Sequence, residues 1–544
     1  MRTASCLHCL RYSLGLLGLL VPLFPYARAA NSPAADRPDD LRDQAQTCEK
    51  RGDWLEASRH YEELLRRDRN QPEWRKAYSR CLRHVQRVRR HRDPGYRAAI
   101  ARLTAAQALD LHEQVLATVA VSYVDRPQTD LTQLFQQGLQ EFRAALSQAI
   151  FVRDHLGLAR PEAVEAFKVR LDAWRGRQIG SRTEAREQVL GVARAAYQAG
   201  LAPKLGPLVA VTALEFAAGA CNSLDEYTLF LTPGHYHDLQ ASLRGRFVGV
   251  GIDAGVVEQG LEITRVYPRS PAAEAGLARR DRIVRIDRQA VDNLSPELAA
   301  DKLRGEAGSA LDLEVLTPGQ MMTHDVRLVR RPVVMPSVEQ EVLMDEPEAG
   351  PVGYLRISSF QENTVQEVKE ALAQLQTLGV RALLLDLRGN AGGVFRAAVQ
   401  VAELFLGEGV IVHAQSQLKE YNRPFRADFL NPFALPVVVL VDGDTASSAE
   451  MVAGALKENG RAVLVGQTTY GKGTIQCILP LDKAPLDHMP AGIRVTVARF
   501  YSPLKHPYSG RGVVPDLLVE QEGEPAFAAA RQEARRLAAM MMVR

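Results

Sequence analysis

The sequence VVVLVDGDTASSAE at residues 437–450 joins a short apolar run to a turn of small residues. Five consecutive valine or leucine residues bounded by turn formers predict a buried strand. The residues from Met451 to Asn459 predict a helix that stops at Gly460. Ser447 therefore lies where a strand is followed by a helix. Such a turn lifts a side chain out of a sheet and presents backbone N–H groups to an oxyanion.

Lys472, in the glycine turn Tyr470-Gly471-Lys472-Gly473, is a candidate base for Ser447. A serine hydroxyl is a weak nucleophile until a neighbour takes its proton, and a lysine can do so only when its pKa is lowered by desolvation. The pair suggests a serine hydrolase that needs no histidine. Simpler interpretations stay open here: Ser447 and Glu450 have the spacing of a capping box, and Lys472 can be an ordinary surface lysine.

A second apolar run, at residues 382–387, is followed by the loop Arg388-Gly389-Asn390-Ala391-Gly392-Gly393 and a helical stretch from Phe395 to Leu406. Glycines there let backbone approach a substrate closely, although a plain strand-to-helix turn has the same pattern. A strand at 353–360 and an amphipathic helix from Thr364 to Leu378 precede it. This alternation of strands and helices indicates a largely parallel sheet with its loops at the carboxyl ends of the strands.

Length and composition indicate a globular chain of several domains. The 544 residues exceed what one core usually organises, and 46% apolar with 24% charged residues is ordinary for a folded protein. The net charge of +3 indicates no class of partner.

The first thirty residues predict a signal peptide. Arg2 and Arg11 precede an apolar run from Leu14 to Phe24, and Ala27-Arg28-Ala29-Ala30 supplies a cleavage site of small residues. The run is short for a membrane span, although an uncleaved anchor stays open. We therefore expect an exported chain in a periplasmic or other extracytoplasmic compartment.

Removal of the signal leaves Cys48, Cys81, Cys221 and Cys477. Four cysteines in so long a chain are not a disulfide framework. Cys48 and Cys81 lie one helical-repeat length apart, so a pair across neighbouring helices and two free thiols are equally open in an oxidising compartment. None has the spacing of a zinc site, and we expect no metal and no cofactor.

Helical patterns dominate the first half of the chain. Residues 31–40 read as a polar linker, and residues 41–91 resemble one tetratricopeptide hairpin. One repeat cannot bury its own face, so we expect it to pack on something, with a helical-repeat partner or self-association as possibilities. Many arginines make this end basic. Without interleaved aromatic residues in an exported chain, they favour a solvated face over nucleic-acid binding, with an acidic envelope or membrane surface as another partner.

The segments around Ser447 and Lys472 resemble those of the C-terminal processing (tail-specific) serine peptidases. The family's Thr-Ala-Ser-x-x-Glu is matched at 445–450, and its Ala-Gly-Ala-Leu, Gly-Arg-Ala and Gly-Lys-Gly at 453–456, 460–462 and 471–473. Gln476 matches a glutamine one helical turn beyond the lysine. The resemblance implies that Ser447 is the nucleophile, Lys472 the general base and Gln476 the group that orients the lysine. Ser447 can then cap a helix as well.

The resemblance extends upstream. Residues 386–393 match the family's Asp-Leu-Arg-Gly-Asn-Pro-Gly-Gly, with Ala391 in place of proline. This match implies oxyanion donors at the N–H of Gly393, with Gly392 as the alternative, and at the N–H of Ser448. Residues 223–233 match a Ser-Leu-Asp-x-x-Thr-x-x-Leu-Thr-Pro phrase that a capped helix end also explains and that indicates no chemistry. The segment 504–509 departs from the family pattern, which leaves the shape of that loop open.

Residues 244–331 resemble a PDZ domain. Phe247 to Ile252 fits its carboxylate-binding loop, and Ser270 to Leu277 with Asp281 to Ile286 fits the next helix and strand. A glycine-containing loop beside an open strand edge binds a terminal carboxylate through backbone N–H groups while the peptide adds as a strand. The resemblance implies peptide binding at Gly249, Val250, Gly251 and Ile252. A β domain that only packs against the core is the alternative.

The predicted fold is therefore a multidomain α+β chain with a helical N-terminal region, a PDZ-like β domain and an α/β peptidase core. The expected boundaries are 1–30 signal peptide, 31–95 linker and helical hairpin, 96–240 helical region, 241–335 PDZ domain, 336–522 peptidase core and 523–544 C-terminal helix. The expected function is a serine endopeptidase that selects proteins with apolar C-termini. The alternative is a non-hydrolytic PDZ adaptor or ligand-binding protein that retains the fold.

Overall fold

The computed structural model describes residues 38–68, 71–157, 159–257, 260–291, 302–303, 305–343, 350–481, 491–521 and 523–542. The predicted signal peptide and most of the predicted linker lie outside these residues. The linker prediction was wrong at its end, because the first helix begins at Pro38 rather than after Asp40. Within the described ranges, no helix combines the length and the apolar character that a membrane crossing requires.

Eleven α-helices and one short strand fill most of the chain before the PDZ-like region in the described residues. They are α1 Pro38–Arg51, α2 Trp54–Arg67, α3 Pro72–Arg92, α4 Pro94–Arg102, α5 Ala105–Ser122, α6 Leu131–Ala145, α7 Ala149–His155, α8 Pro161–Arg170, α9 Arg182–Gln198, α10 Leu208–Asn222, β1 Leu229–Leu231 and α11 Pro233–Leu243. Helix α10 is buried all round because its residues are almost all apolar or small. Strand β1 lies inside the region predicted as helical.

The hairpin of α1 and α2 packs on the first half of α3 and buries apolar side chains of its own. These include Leu41, Ala57, Tyr61 and Leu64. Cys48 and Cys81 lie in this part of the chain, and both are free thiols, so the disulfide that the sequence left open is not formed.

A small antiparallel β domain follows, made of β2 Arg246–Gly249, β3 Ile252–Val257, β4 Gly260–Val266, α12 Pro271–Glu274, β5 Arg282–Ile286, β6 Gln289–Ala290, β7 Ala310–Leu316, β8 His324–Val329 and β9 Arg331–Val334. Its main sheet has the order β3-β4-β5-β7-β8, with β6 beside β5, and β2 pairs with β9. The sheet encloses a separate apolar core. Strand β3 is therefore an edge strand among those described.

The remaining elements are β10 Val338–Leu343, β11 Val352–Ile357, α13 Thr364–Thr377, β12 Ala382–Asp386, α14 Phe395–Glu403, β13 Glu408–Ser416, β14 Pro424–Asp428, β15 Val437–Val441, α15 Ser448–Glu458, β16 Ala462–Gly466, β17 Thr474–Pro480, β18 Gly492–Tyr501, β19 Leu517–Leu518 and α16 Glu524–Met542. One sheet has the order β10-β11-β12-β15-β16-β19. Its strands are parallel except β10. The prediction of a largely parallel sheet is confirmed.

The two central strands, β12 and β15, are buried at every residue because helices cover both faces of this sheet. Helix α16 covers one face with alanines four residues apart, Ala526, Ala530, Ala534 and Ala538, whose small side chains let it lie close to the strands.

A second sheet, antiparallel throughout, has the order β1-β18-β13-β14, with β17 also paired to β18. The sequence analysis did not predict this sheet. Strand β1 joins this sheet through the register Leu229 to Arg494. Residues from the end of the helical region thereby join a sheet formed by the last part of the chain.

Candidate active site

Ser447 lies between the parallel strand β15 and helix α15, as predicted. Its backbone has φ 56° and ψ −119°, a conformation that non-glycine residues rarely adopt. Strain of this kind is typical of a nucleophile at a sharp strand-to-helix turn. Ser447 is only 4% exposed. The turn is held from below by Asp442, whose Oδ1 accepts from the Thr445 backbone N–H at 2.8 Å.

Glu450 connects the serine turn to the lysine turn. Its Oε2 accepts from the backbone N–H of Ser447 at 2.7 Å and from that of Lys472 at 2.8 Å. Its Oε1 accepts from the Gly471 N–H and the Thr469 hydroxyl, both at 2.6 Å. Burial raises the pKa of Glu450, and these four hydrogen bonds oppose the rise. One buried carboxylate therefore fixes the backbone of both proposed catalytic residues.

Lys472 is almost fully buried, with 6% of the residue exposed. Burial, followed by the nearby Arg494 guanidinium, lowers its pKa from 10.5 to about 7 against the opposing charges of Asp225, Glu226 and Glu450. The lysine Nζ lies 4.3 Å from the centre of the Tyr227 ring. A substantial fraction of this amine is therefore neutral near pH 7, as a general base requires.

Gln476 lies on strand β17, so the spacing of four residues from Lys472 is not a helical turn, and that part of the description was wrong. Its amide Nε2 donates to the hydroxyls of Thr474 at 3.0 Å and Thr496 at 3.2 Å. Its Oε1 is buried without a hydrogen-bond partner among the described residues. These contacts fix the amide and leave its oxygen as an acceptor.

The glycine loop touches the serine turn directly. A Cβ on Gly392 would lie 2.9 Å from the Ser447 Cβ and 3.0 Å from the Ser448 nitrogen. One on Gly393 would lie 2.0 Å from the Phe360 carbonyl oxygen, and both glycines have positive φ. Only glycine fits at these two positions. Ser448 also donates its hydroxyl to the Gly393 carbonyl at 3.2 Å. The two predicted oxyanion donors thus lie on adjoining loops.

Asn390 links the glycine loop and the serine turn through two hydrogen bonds. Its Oδ1 accepts from Gly392 N–H at 2.9 Å, and its backbone carbonyl accepts from Ala446 N–H at 2.9 Å. No hydrogen bond joins the Ser447 hydroxyl to the Lys472 amine, or Lys472 to Gln476, in the part of the chain that the structure describes. Catalytic hydrogen bonds are often long before substrate binds, so this geometry is compatible with a proton transfer that forms in the complex.

The sequence analysis did not give three residues of this site a part in its chemistry. Tyr227 covers the lysine, Arg494 donates to the Tyr227 carbonyl at 2.7 Å, and Glu450 bridges the two turns. The phrase at 223–233 was the available signal for Tyr227, but a capped helix end explained it equally well. Among the described residues, no cluster of three or more His, Cys, Asp or Glu side chains could hold a metal ion.

The predicted peptide-binding loop joins β2 to β3. The Val250 carbonyl accepts from Ala272 N–H and the Gly251 carbonyl from Tyr267 N–H, each at 2.9 Å. Gly251 has φ +85°, and a Cβ there would lie 2.1 Å from the Ser270 Cβ. The loop is therefore held tightly at the end of the edge strand β3.

The chain matches the family model described as peptidase family S41 over residues 351–519 and the PDZ domain model over residues 262–317. A carboxyl-terminal-processing protease of Picosynechococcus is 36% identical over 300 residues, which are 55% of this chain and 70% of that protein. The chain belongs to the carboxyl-terminal-processing protease family. A protease of the same name from Synechocystis is 37% identical over 302 residues, 55% of this chain and 69% of that protein.

Solved structures of this protease family are also similar to the chain. A photosystem II D1 C-terminal processing protease covers 79% of this chain and 99% of its own, with 25% identity and a TM-score of 0.41. Helices α1 to α10 lie outside the ranges matched by the S41 and PDZ models. The family assignment therefore explains the core and the PDZ domain and leaves the N-terminal helices to be interpreted from their own contacts.

Proposed function

We propose that this protein is an exported serine endopeptidase that selects protein substrates by their C-terminal ends. The observation that carries the proposal is the Glu450 carboxylate, one oxygen of which accepts from the backbone of both Ser447 and Lys472. It anchors the backbone of the proposed nucleophile and that of the proposed base, whose amine has a pKa lowered to about 7, chiefly by burial. A serine and a neutral amine held together are what nucleophilic attack without histidine requires.

The reaction follows from these positions. Ser447 Oγ attacks the peptide carbonyl while Lys472 takes the hydroxyl proton, and the N–H groups of Gly393 and Ser448 receive the oxyanion. Lys472 then gives the proton to the leaving amine, and the peptide bond breaks to leave an acyl-enzyme. A water then attacks the acyl carbon as it gives a proton to Lys472, the ester bond to Ser447 Oγ breaks, and Lys472 returns the proton to Oγ as the acid product leaves. Gln476 orients the amine through its free Oε1.

The PDZ domain supplies selection in this proposal. The loop from Gly249 to Ile252 takes the terminal carboxylate on its backbone N–H groups, and the peptide adds as a strand to β3. The edge position of β3 among the described strands supports this mode. An apolar last residue fits a domain whose core, with Val250 and Ile252 as members, lies directly beneath the loop.

The test uses the purified mature chain and a loosely folded protein with an apolar C-terminus. We expect cleavage by the native chain and a loss of at least about a thousandfold in kcat for Ser447→Ala and Lys472→Ala. Ser147→Ala, at an exposed helix end in the helical region, is the matched control and should cleave normally. Circular dichroism of each variant checks folding.

Two results would contradict parts of the proposal. Cleavage that survives both substitutions would exclude the Ser447 and Lys472 mechanism, and binding of the substrate without any cleavage would favour the adaptor. A substrate with an amidated C-terminus separates the second part, since an unchanged rate would remove the PDZ domain from substrate selection.

A further inference from the structure

The N-terminal hairpin, defined here as α1 and α2 (residues 38–67), reaches the serine turn. Arg66 Nη2 on α2 lies 2.8 Å from Oδ1 of Asp444, three residues before Ser447. Both side chains are partly exposed, at 35% and 49%. The hairpin therefore contacts the loop that carries the proposed nucleophile, although it lies outside both family matches.

The first half of α3, on which the hairpin packs, carries a buried tyrosine that is influenced by charges near Lys472. Tyr78 is buried there, and its burial, followed by the charges of Glu62, Tyr470 and Glu226, raises the pKa of its hydroxyl. Tyr470 lies two residues before Lys472, and Glu226 adjoins the Tyr227 ring that covers the lysine. The hairpin thus contacts the serine turn, and the start of α3 lies within electrostatic range of residues that flank Lys472.

The two ends of α3 are held very differently. Its last turns are fixed in the helical region by buried ion pairs, Arg87 with Glu141 at 2.9 Å and Arg90 with Glu141 and Glu215 at 2.8 and 2.6 Å. The hairpin at its other end shares an apolar cluster with the first half of α3, and this cluster is separate from that of the catalytic core. Because no apolar cluster joins this unit to the serine turn, the contact between them opens at lower cost than a packed core would.

The contact between the hairpin and the serine turn depends on the positive charge of Arg66. The guanidinium lies 3.8 Å from Glu62 and 3.7 Å from Glu63, both on α2, as well as against Asp444. The same Arg66 nitrogen, Nη2, lies beside an oxygen of Glu62 and an oxygen of Asp444, so these two carboxylates are near neighbours across the contact. In agreement with this, the charge of Asp444 acts with burial to raise the pKa of Glu62. Without Arg66, like charges would face each other there, and the hairpin would be repelled from the serine turn.

We propose that the N-terminal hairpin is a specificity-determining wall of the substrate cleft, held against the serine turn by Arg66. A short peptide reaches Ser447 while the wall is closed. A long polypeptide extends beyond the cleft at both ends and therefore requires the wall to open. This inference rests on the proposed protease function. It identifies Arg66 as a positioning residue that sets the preference between short and long substrates.

The experiment compares Arg66→Gln with Arg59→Gln in the full mature chain. Arg59 is on the same helix and pairs with Glu56 at 2.6 Å on an exposed face. We expect Arg66→Gln to raise kcat/KM for the protein substrate by about two- to fivefold, the range given by an exposed ion pair, and to leave a ten-residue peptide substrate unchanged. Glu62→Gln added to Arg66→Gln should reverse part of the rise, and 1 M salt should remove most of it.

Hydrogen exchange gives a readout that does not depend on catalysis. The α2 amides should exchange faster in Arg66→Gln than in Arg59→Gln or the native chain. Equal exchange and equal substrate ratios in the two variants would overturn the inference, as would a change that is the same for peptide and protein. If no form cleaves any substrate, the proposed function fails, and the exchange rates still decide whether Arg66 holds the wall.

Discussion

The burial of Lys472 is what turns an ordinary basic residue into a candidate base. An exposed lysine is protonated at neutral pH and cannot accept the serine proton, but desolvation favours the neutral amine. The Arg494 guanidinium acts in the same direction, and Asp225, Glu226 and Glu450 act against it. The balance leaves the pKa of Lys472 at about 7.

A pH profile follows from this balance. Because the neutral amine is the active form, kcat/KM for a peptide should rise with pH through about 7 and level off above it. Arg494→Gln removes a charge that lowers the pKa of Lys472, so the rise should move to higher pH. Arg499→Gln, on the same strand but paired with Asp125, is the control and should leave the profile in place. A flat profile in the native chain would contradict the role of Lys472.

Substitution of Glu450 tests the bridge between the two turns. In Glu450→Gln the amide NH2 must face at least one of the N–H groups that now donate to the carboxylate. Because two donors then meet, we expect the serine and lysine turns to shift apart. We expect kcat to fall by about a hundredfold, the usual effect of a misplacement near 1 Å. Activity against a peptide and the pH profile are the measurements.

The matched control for Glu450 is Glu458→Gln, at the other end of α15. Glu458 accepts from the Leu504 N–H at 2.7 Å and pairs with the exposed His506. Glu458→Gln should keep kcat within about twofold of the native value. If Glu450→Gln did the same, the bridge would have no role in catalysis.

At the level of elements, the strands and helices next to the catalytic loops were predictable because each has a strong local signal. The run at 437–441 is apolar throughout, the run at 382–387 is apolar except for Asp386, and Gly460 stops α15 with φ +67°. Gln476 was placed one helical turn beyond Lys472 because a spacing of four fits a helix. The strand there forms because β17 pairs with β18, a contact that the local pattern does not contain.

The PDZ loop gives a prediction about an element. Gly251→Ala should weaken binding of a labelled peptide with a free apolar C-terminus by at least about tenfold, because its Cβ would collide with Ser270 and its φ is positive. Fluorescence anisotropy measures the dissociation constant. Gly319→Ala, in the turn between β7 and β8, is the control, since its φ is also positive at +84° but no atom lies within 4 Å of the added Cβ. Equal affinities for the two variants would place peptide binding elsewhere.

For the whole molecule, the buried ion pairs of α3 should be essential to the helical region. Two guanidiniums, Arg87 and Arg90, share the Glu141 carboxylate and hold its pKa below its usual value against the effect of burial. Glu141→Gln would leave uncompensated buried charge, which costs about 3 to 5 kcal/mol. We expect a lower unfolding temperature for this region in scanning calorimetry. Glu165→Gln, at an exposed pair with Lys168, should unfold like the native chain.

The long-range assembly of the molecule was beyond a single sequence. Ser447, Lys472 and Gln476 were named from motifs, and the parallel sheet from alternating strands and helices. The contact of Tyr227 with Lys472 depends on β1 pairing with β18, and that of Arg66 with Asp444 joins the first helices to the core. Each joins residues more than two hundred positions apart, and no local periodicity records such a pairing.

The pairing of β18 with both β1 and β17 has a consequence for biosynthesis. Strand β17, which carries Gln476, pairs with β18, and so does β1, which follows Tyr227 in the chain. A growing chain that has not yet produced residues 492–501 lacks the strand against which both are placed. Without that strand, the elements that place Tyr227 over Lys472 and that carry Gln476 have no sheet to join. The proposed proteolytic activity therefore has to wait until this late part of the polypeptide has been synthesised.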